Sequence, residues 1–205
     1  MDLFEFKREQ QRLATRVQLQ NGFSTVTKVG GAACVAVGKN LLACVVVCEL
    51  PSFTIVDKAF YLLHDPLPFQ VGFSAYREMP AIIEAYNQLS VEPDVLFVEG
   101  EGVAHARGLG IASHLGVVLK VPTIGVADRL HCGQVVDGKV LVLGEVRGFE
   151  VVTREFAKPV YVSPGNMVSL ESCRKLVIEM MVHPHKMPES IHLANKLARK
   201  MKEEK

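Results

Sequence analysis

The chain has 205 residues, 49% of them hydrophobic, which is enough for one domain with a sizeable buried core. Its formal net charge of +1 neither requires nor excludes nucleic acid as a partner, because a local basic patch is sufficient for binding. The apolar runs are too short to span a bilayer and the first residues are charged, so we expect no membrane span and no signal peptide.

The first predicted elements are a helix and three strands. Residues 2 to 20 have helical spacing of apolar side chains and end at a stop signal, Asn21-Gly22. Three β-rich runs follow, separated by short turn sequences: Val26 to Val37, Leu41 to Glu49 and Phe53 to Leu63. Short turns join neighbouring antiparallel strands, so this part of the chain predicts an antiparallel meander of three strands.

The middle of the chain predicts parallel strands. A helix is expected from Gly72 to Leu89, followed by a short apolar strand from Val95 to Val98. A second helix from Val103 to Leu119 leads into the apolar strand Pro122 to Val126. This β-α-β pattern favours parallel pairing, so the expected fold class is α/β with a mixed sheet flanked by helices.

The last third of the chain predicts short strands and two helices. The strands are expected at Val140 to Val146, Val151 to Glu155 and Val160 to Val162, and the helices at Met167 to Val182 and Glu189 to Lys202. The sequence contains no repeat, low-complexity stretch or linker. We therefore expect a single domain that spans residues 1 to 205.

The cysteines are odd in number, scattered, and without CxxC or zinc-like spacing. Most of them lie within apolar runs. This pattern favours reduced, buried thiols in a cytoplasmic protein. The five residues are Cys34, Cys44, Cys48, Cys132 and Cys173.

Three carboxylates are candidates for a metal site. Glu99 ends a predicted buried strand before a Gly-rich turn, and Asp128 follows the next strand. Glu78 lies in the middle of a predicted helix. Converging carboxylates suit a Mg²⁺-dependent phosphodiester hydrolase, because the metal polarises a phosphoryl oxygen and activates the attacking water. The alternative interpretation is that all three are ordinary exposed acids.

A long, ordered set of motifs is similar to endonuclease V. The stretch Phe97 to Gly116 (FVEGEGVAHARGLGIASHLG), followed by Val121 to Ala127 (VPTIGVA), resembles the central signature of that family. Further matches follow in family order over roughly residues 10 to 200: Pro51-Ser52-Phe53, Tyr76-Arg77-Glu78 with Pro80, Tyr161 to Gly165, and Pro188-Glu189.

The resemblance implies a ribonuclease H-like core and a nuclease of DNA repair. Family members hydrolyse a phosphodiester one nucleotide beyond a deaminated base such as hypoxanthine, the base of inosine, with Mg²⁺ (Mn²⁺ is an alternative) as cofactor. The implied partner is DNA or RNA that contains deaminated bases.

The family inserts an aromatic loop at the lesion and holds the extruded base in a pocket. The matching loop here is Pro68 to Gly72, in which Phe69 has the aromatic role and Val71 replaces a second proline. We expect Phe69 to be exposed beside the groove from Gly100 to His105; the alternative is an aromatic that packs the loop onto the core. The implied base-binding residues are Phe69, Gly100, Gly102, His105, Leu109, Gly110 and Ile111.

Several catalytic positions implied by the resemblance carry other residues here. Ala33, or Ala32 under a one-residue shift, stands where the first strand is expected to carry an aspartate. Glu99 replaces the strand-end aspartate, Asp128 replaces a lysine, and Asn195 replaces a histidine or aspartate. The change at Asp128 reverses the charge next to the scissile phosphate, and the alanine removes a metal ligand.

The expected catalytic and metal-binding set is therefore Glu78, Glu99 and Asp128, with Ala33 and Asn195 as degenerate positions. His192, one turn before Asn195, is a possible substitute ligand or an ordinary surface residue. This set predicts weakened hydrolysis, and the alternative is an inactive homologue that still binds nucleic acid. Basic side chains expected either to contact the phosphate backbone or to form a solvated face are Arg77, Arg107, Arg129, Lys196, Arg199, Lys200 and Lys202.

Overall fold

A mixed nine-stranded sheet with five helices forms the part of the chain that the computed structural model describes, residues 2–154 and 157–203. The strands are β1 Lys28–Val37, β2 Asn40–Glu49, β3 Thr54–Leu63, β4 Val95–Glu99, β5 Thr123–Ala127, β6 Gln134–Val136, β7 Lys139–Val142, β8 Glu145–Val151 and β9 Val160–Asn166. The helices are α1 Leu3–Ala14, α2 Ser74–Tyr86, α3 Ile111–Leu119, α4 Leu170–Glu179 and α5 Glu189–Glu203.

The strand order in the sheet is β3-β2-β1-β4-β5-β9-β8-β7-β6. Strands β1, β2 and β3 form the predicted antiparallel meander. Strands β1, β4 and β5 are parallel, as the β-α-β pattern predicted, and β9 returns antiparallel to β5. The predicted α/β class and the mixed sheet are therefore confirmed.

The core has two layers because side chains of each central strand alternate between the faces of the sheet. Ala33 and Phe97 lie on the face that α4 and α5 cover, whereas Ala32 and Leu96 lie on the face covered by α2 and α3. Helix α5 approaches β1 so closely that a Cβ built on Gly31 would lie 2.1 Å from a backbone oxygen of α5. This close approach brings the middle of α5 next to the end of β4.

The helix predicted from Val103 begins only at Ile111. Residues 100–110 form a loop in which the Val103 N–H donates to Pro164 O (2.8 Å). Gly108 in this loop has a positive φ of 67°, which favours glycine. The apolar spacing of the segment is helical, but its backbone bonds β9, so tertiary contacts override local periodicity.

The run predicted as one strand, Val140 to Val146, is a β-hairpin. Leu143 and Gly144 form its turn, with φ values of 53° and 81°. Strand β6 was not predicted. The strand predicted at Val151 to Glu155 was wrong over residues 152–154, because Val151 is the last residue of β8. Glu155 itself lies outside the described residues.

Helix α1 ends at Ala14 instead of near residue 20. The Gln18 N–H donates to Asn166 Oδ1 (3.0 Å), and Gln18 O accepts from the Met167 N–H (2.7 Å). These bonds to the end of β9 stabilise an extended segment in place of another helical turn.

The cysteines are free thiols, as the sequence predicted. Cys44, Cys48 and Cys173 are buried, and Cys34 and Cys132 are half-buried. Within the two described ranges, no helix has both the length and the apolar content needed to cross a membrane.

Candidate active-site cleft

A cleft of about 320 Å³ opens at the carboxyl ends of β4 and β5, the edge at which open α/β sheets bind ligands. Strand ends, helices α2 and α5, and the loop before α2 all contribute to its walls. The charged or titratable side chains among its lining residues include Glu78, Glu99, Glu101, Asp128, His131 and Arg199.

Two of the predicted catalytic carboxylates line this cleft. Glu99 ends β4, and Glu78 lies on α2. Burial and the negative charge of Glu99 raise the pKa of Glu78 to about 7, although Arg77 opposes the shift. Two carboxylates close to each other disfavour the doubly ionised state.

The predicted position Asn195 bonds directly to one member of this carboxylate pair, Glu99. Its Nδ2 donates to Glu99 Oε2 at 2.7 Å, so α5 is tied to the end of β4. Because the amide presents its nitrogen to Glu99, its side chain acts here as a hydrogen-bond donor to the carboxylate and not as a second oxygen ligand.

Ala33 lies in β1 beside the end of β4. The parallel register pairs Ala32 with Val98, which places Ala33 next to Glu99. Ala33 is 1% exposed and packs in the core with α5. A methyl group at this point supplies no oxygen to the cleft.

Cys34 follows Ala33 and lines the cleft, a contribution that was not predicted. Burial, together with the charges of Glu78 and Glu99, raises the pKa of the Cys34 thiol well above its usual range. The side chain is therefore a neutral thiol at the carboxylate pair. Side chains alternate between the two faces of a strand, so Ala33 and Cys34 point to opposite faces of the sheet. This alternation was the sequence signal available for Cys34.

Asp128 lies at the rim of the cleft, just after β5. Its carboxylate is 56% exposed and pairs with Arg129 Nε at 3.5 Å. In residues 2–154 and 157–203, no three His, Cys, Asp or Glu side chains are grouped so as to hold a metal ion. Mg²⁺ is usually held by one or two carboxylates with water completing its octahedral shell, and Glu78 and Glu99 are two carboxylates in one cleft. A metal at Glu78, Glu99 and Asp128 thus stays a prediction.

Glu101 is a further acid in the cleft wall, and it was not among the predicted site residues. Glu101 Oε1 lies 2.7 Å from His131 Nδ1, and the Glu101 side chain is only 12% exposed. Glu101 adds a negative charge to those of Glu78, Glu99 and Asp128. Sequence spacing gave no reason to pair it with His131, because the contact joins two different loops.

The exposure predicted for Phe69 is confirmed. Its side chain is 65% exposed and lines the cleft together with Gly100 and Glu101. Val71, on the same loop, is also 65% exposed. Contact of Phe69 with a base stays a prediction.

Four of the other predicted base-binding residues have a packing role next to the cleft. Leu109 and Ile111 are 0% and 1% exposed, so their side chains belong to the core and do not line the cleft. A Cβ on Gly102 would lie 2.1 Å from Pro164 O, and one on Gly110 would lie 2.3 Å from Glu101 O. These two glycines allow close packing of the backbone.

His105 uses both ring nitrogens within the protein. Nδ1 accepts from the Arg107 N–H, and Nε2 is 3.2 Å from Gly72 O. Since Nδ1 accepts, Nε2 carries the proton and donates. Burial lowers the pKa of His105, which agrees with a neutral ring.

The basic side chains predicted to contact phosphates have different surroundings. Arg77 and Arg107 donate to the loop carbonyls of Leu67 and Gly72, and their contact with phosphates stays a prediction. Arg199 lines the cleft. The other basic residues of this set have exposed side chains: Arg129, Lys196, Lys200 and Lys202.

Comparison with known proteins places these features in a family. The family model described as Endonuclease V matches residues 11–196. The endonuclease V of Rippkaea orientalis is 35% identical over 96% of this chain and 90% of its own length. That of Geotalea uraniireducens is 32% identical over 98% of this chain and 89% of its own length.

Solved structures agree. The crystal structure of endonuclease V from Streptomyces avermitilis has a TM-score of 0.90 and 27% identity over 99% of this chain and 94% of that one. Endonuclease V from Ciona intestinalis, crystallised with a 24mer DNA containing an inosine followed by a ribo-adenosine, has a TM-score of 0.89 and 25% identity over 98% of both chains. The predicted ribonuclease H-like α/β fold is confirmed.

Proposed function

The chain belongs to the endonuclease V family, and on that premise we propose that its cleft binds nucleic acid containing a deaminated base such as hypoxanthine. We further propose that it hydrolyses a neighbouring phosphodiester at a strongly reduced rate. The Ciona intestinalis relative in complex with inosine-containing DNA supports the choice of ligand.

The observation that carries this proposal is the placement of Phe69. An aromatic side chain that is 65% exposed lines the same cleft as Glu78 and Glu99. Stacking on a base needs an exposed flat ring, and hydrolysis beside that base needs polar groups within the same cleft. Both requirements meet in one cavity.

The reduced rate follows from the charges around the phosphate. Four acids line the cleft against the basic residues Arg199 and His131: Glu78, Glu99, Glu101 and Asp128. An anionic phosphate therefore enters a cleft whose walls are largely acidic. Groups that stabilise the developing negative charge are usually the largest contributors to such catalysis.

Binding without hydrolysis is the second candidate function. The observation in its favour is Ala33, whose methyl group occupies the core position next to Glu99. A protein that lacks this ligand still retains the cleft and Phe69, and binding depends on those features.

A paired assay tests both candidates. Affinity is measured for DNA and RNA strands with and without inosine, and cleavage is followed in parallel with Mg²⁺ or Mn²⁺. Preferential binding of inosine strands with slow cutting supports the first candidate, and preferential binding without cutting supports the second. Equal affinity for inosine and normal strands contradicts both.

Helix α5 provides a prediction on backbone contacts. Lys196 and Lys200 are exposed on this helix, so we expect the variant with both residues replaced by Ala to bind all strands more weakly, regardless of base. The plot of log affinity against log salt has a negative slope. This slope should become shallower by roughly 0.9 for each phosphate of duplex DNA that the variant no longer neutralises.

Lys39 is the matched control, since it is exposed in the turn between β1 and β2, outside α5. Its replacement by Ala should leave the slope unchanged. A salt slope unaffected by the double substitution would show that α5 does not contact nucleic acid.

A further inference from the structure

Side chains of neighbouring elements bond to the loop that carries Phe69. This loop, residues 64–73, contains neither helix nor strand and is called here the aromatic loop. Its tip is the segment around Phe69 and Val71, the most exposed large apolar side chains of the loop. An irregular segment with an exposed apolar tip has few contacts of its own, so its position depends on bonds from neighbouring elements.

Gly72 O is the main point of attachment. Three side chains approach this single carbonyl: Gln10 Nε2 at 3.0 Å, His105 Nε2 at 3.2 Å and Arg107 Nη2 at 2.6 Å. They come from α1 and from the loop after β4. The carbonyl thus joins the aromatic loop to two elements that are far apart in sequence.

Arg107 is the centre of this group. Its Nε donates to Gln10 Oε1 at 2.5 Å while Nη2 donates to Gly72 O. The guanidinium also lies 4.5 Å from the centre of the Phe73 ring, at the end of the aromatic loop. A planar guanidinium makes these contacts at once, whereas a lysine ammonium has no such fork.

The part of the aromatic loop that precedes Phe69 in the chain is also bonded to an arginine. Arg77 Nη1 donates to Leu67 O at 2.5 Å. Along the chain, Phe69 therefore lies between two carbonyls, Leu67 O and Gly72 O, each of which accepts from an arginine. Gln10 is itself 1% exposed, so the attachment through Arg107 rests on a buried side chain.

From this geometry we propose that Arg107 is a positioning residue that holds the aromatic loop in place and so presets Phe69 for stacking against a base. A loop ordered before binding loses less conformational entropy when the ligand arrives, which strengthens binding without any contact to the ligand. The inference rests on the proposed function for its nucleic-acid readout.

The chain contains no tryptophan, which allows a direct test of loop mobility. In a Phe69→Trp protein the single indole reports on the aromatic loop. We expect Arg107→Lys in this background to lower the fluorescence anisotropy of the indole and to increase its quenching by acrylamide. The lysine keeps the positive charge but loses the forked contacts.

Affinity for an inosine-containing strand should fall about fivefold in Arg107→Lys, the effect of roughly one hydrogen bond. Arg147→Lys is the matched control, because Arg147 lines the same surface cavity as Arg107 but pairs with Glu145. It should change neither fluorescence nor affinity. Gln10→Leu, which removes one donor to Gly72 O and the partner of Arg107, is expected to act in the same direction as Arg107→Lys.

A double-mutant cycle separates positioning from direct contact. If Arg107 acts through Phe69, Arg107→Lys causes no further loss of affinity in a Phe69→Ala background. Additive losses together with unchanged anisotropy in both Arg107→Lys and Gln10→Leu overturn the inference. Equal affinity of the parent protein for inosine and normal strands rejects the proposed function instead, and the fluorescence result still decides whether Arg107 holds the loop.

Discussion

Replacing Ala33 by Asp and Asp128 by Lys together is expected to increase cleavage of inosine-containing strands by roughly 10²-fold or more, from a rate that is very slow or undetectable. Ala33→Asp would place a carboxylate next to Glu99, since the register of β1 and β4 brings the two positions together. Asp128→Lys would remove one acid from the rim of the cleft and add a cation there. The measurement is single-turnover cleavage with Mg²⁺ or Mn²⁺.

Each single variant serves as a control for the pair. Asp128→Lys changes an exposed rim residue and should fold normally, so a gain in affinity for any strand is expected from it alone. Ala33→Asp places a carboxylate at a buried site, and thermal unfolding must accompany its assay. Efficient cleavage by the unchanged chain, with no gain in either variant, would show that its active site is organised differently.

Replacing Glu78 by Gln is expected to stabilise the folded protein at pH 8 and to have little effect on stability below pH 4.5. Burial and Glu99 raise the pKa of Glu78 from its usual 4.5 to about 7 in the native state. Well below pH 4.5 the side chain is largely protonated in both folded and unfolded chains. As pH rises from 4.5 to 7, the unfolded chain ionises first, so stability is lost over this window.

The full shift would correspond to about 3 kcal/mol, and partial exposure to the cleft reduces our expectation to about 2 kcal/mol. Urea unfolding at pH 4 and pH 8 measures the difference. Glu84, exposed on the same helix, is the matched control, and Glu84→Gln should show no comparable pH dependence. A stability gain from Glu78→Gln that is the same at both pH values would contradict the assigned shift.

The protonation of Glu78 affects the charge of the cleft as well as the stability of the fold. Because its carboxyl is near half-protonation close to neutral pH, the negative charge of the cleft decreases on mild acidification. An anionic strand should then meet less repulsion. The double variant, Ala33→Asp with Asp128→Lys, changes the same balance through fixed charges.

Much of the architecture could be predicted from the sequence because local patterns and tertiary structure agree in the central strands. Alternating and apolar runs marked β1 to β5, and the contrast between short turns and a helical connection separated antiparallel from parallel pairing. The prediction that a helix begins at Val103 was wrong, because residues 103–110 belong to a loop and the helix begins at Ile111. This segment has helical spacing of apolar residues, but its backbone bonds β9.

The sequence by itself determined the family, the strand-end position of Glu99, the helix that carries Glu78 and the exposed aromatic at Phe69, because each depends on a local pattern or an ordered motif. Only the tertiary structure decided that Asn195 donates to Glu99, that Glu101 pairs with His131, and that Arg107 holds Gly72 O. These contacts join residues far apart in the chain. The physical reason is that side-chain direction and burial arise from packing between elements, which residue type and spacing do not specify.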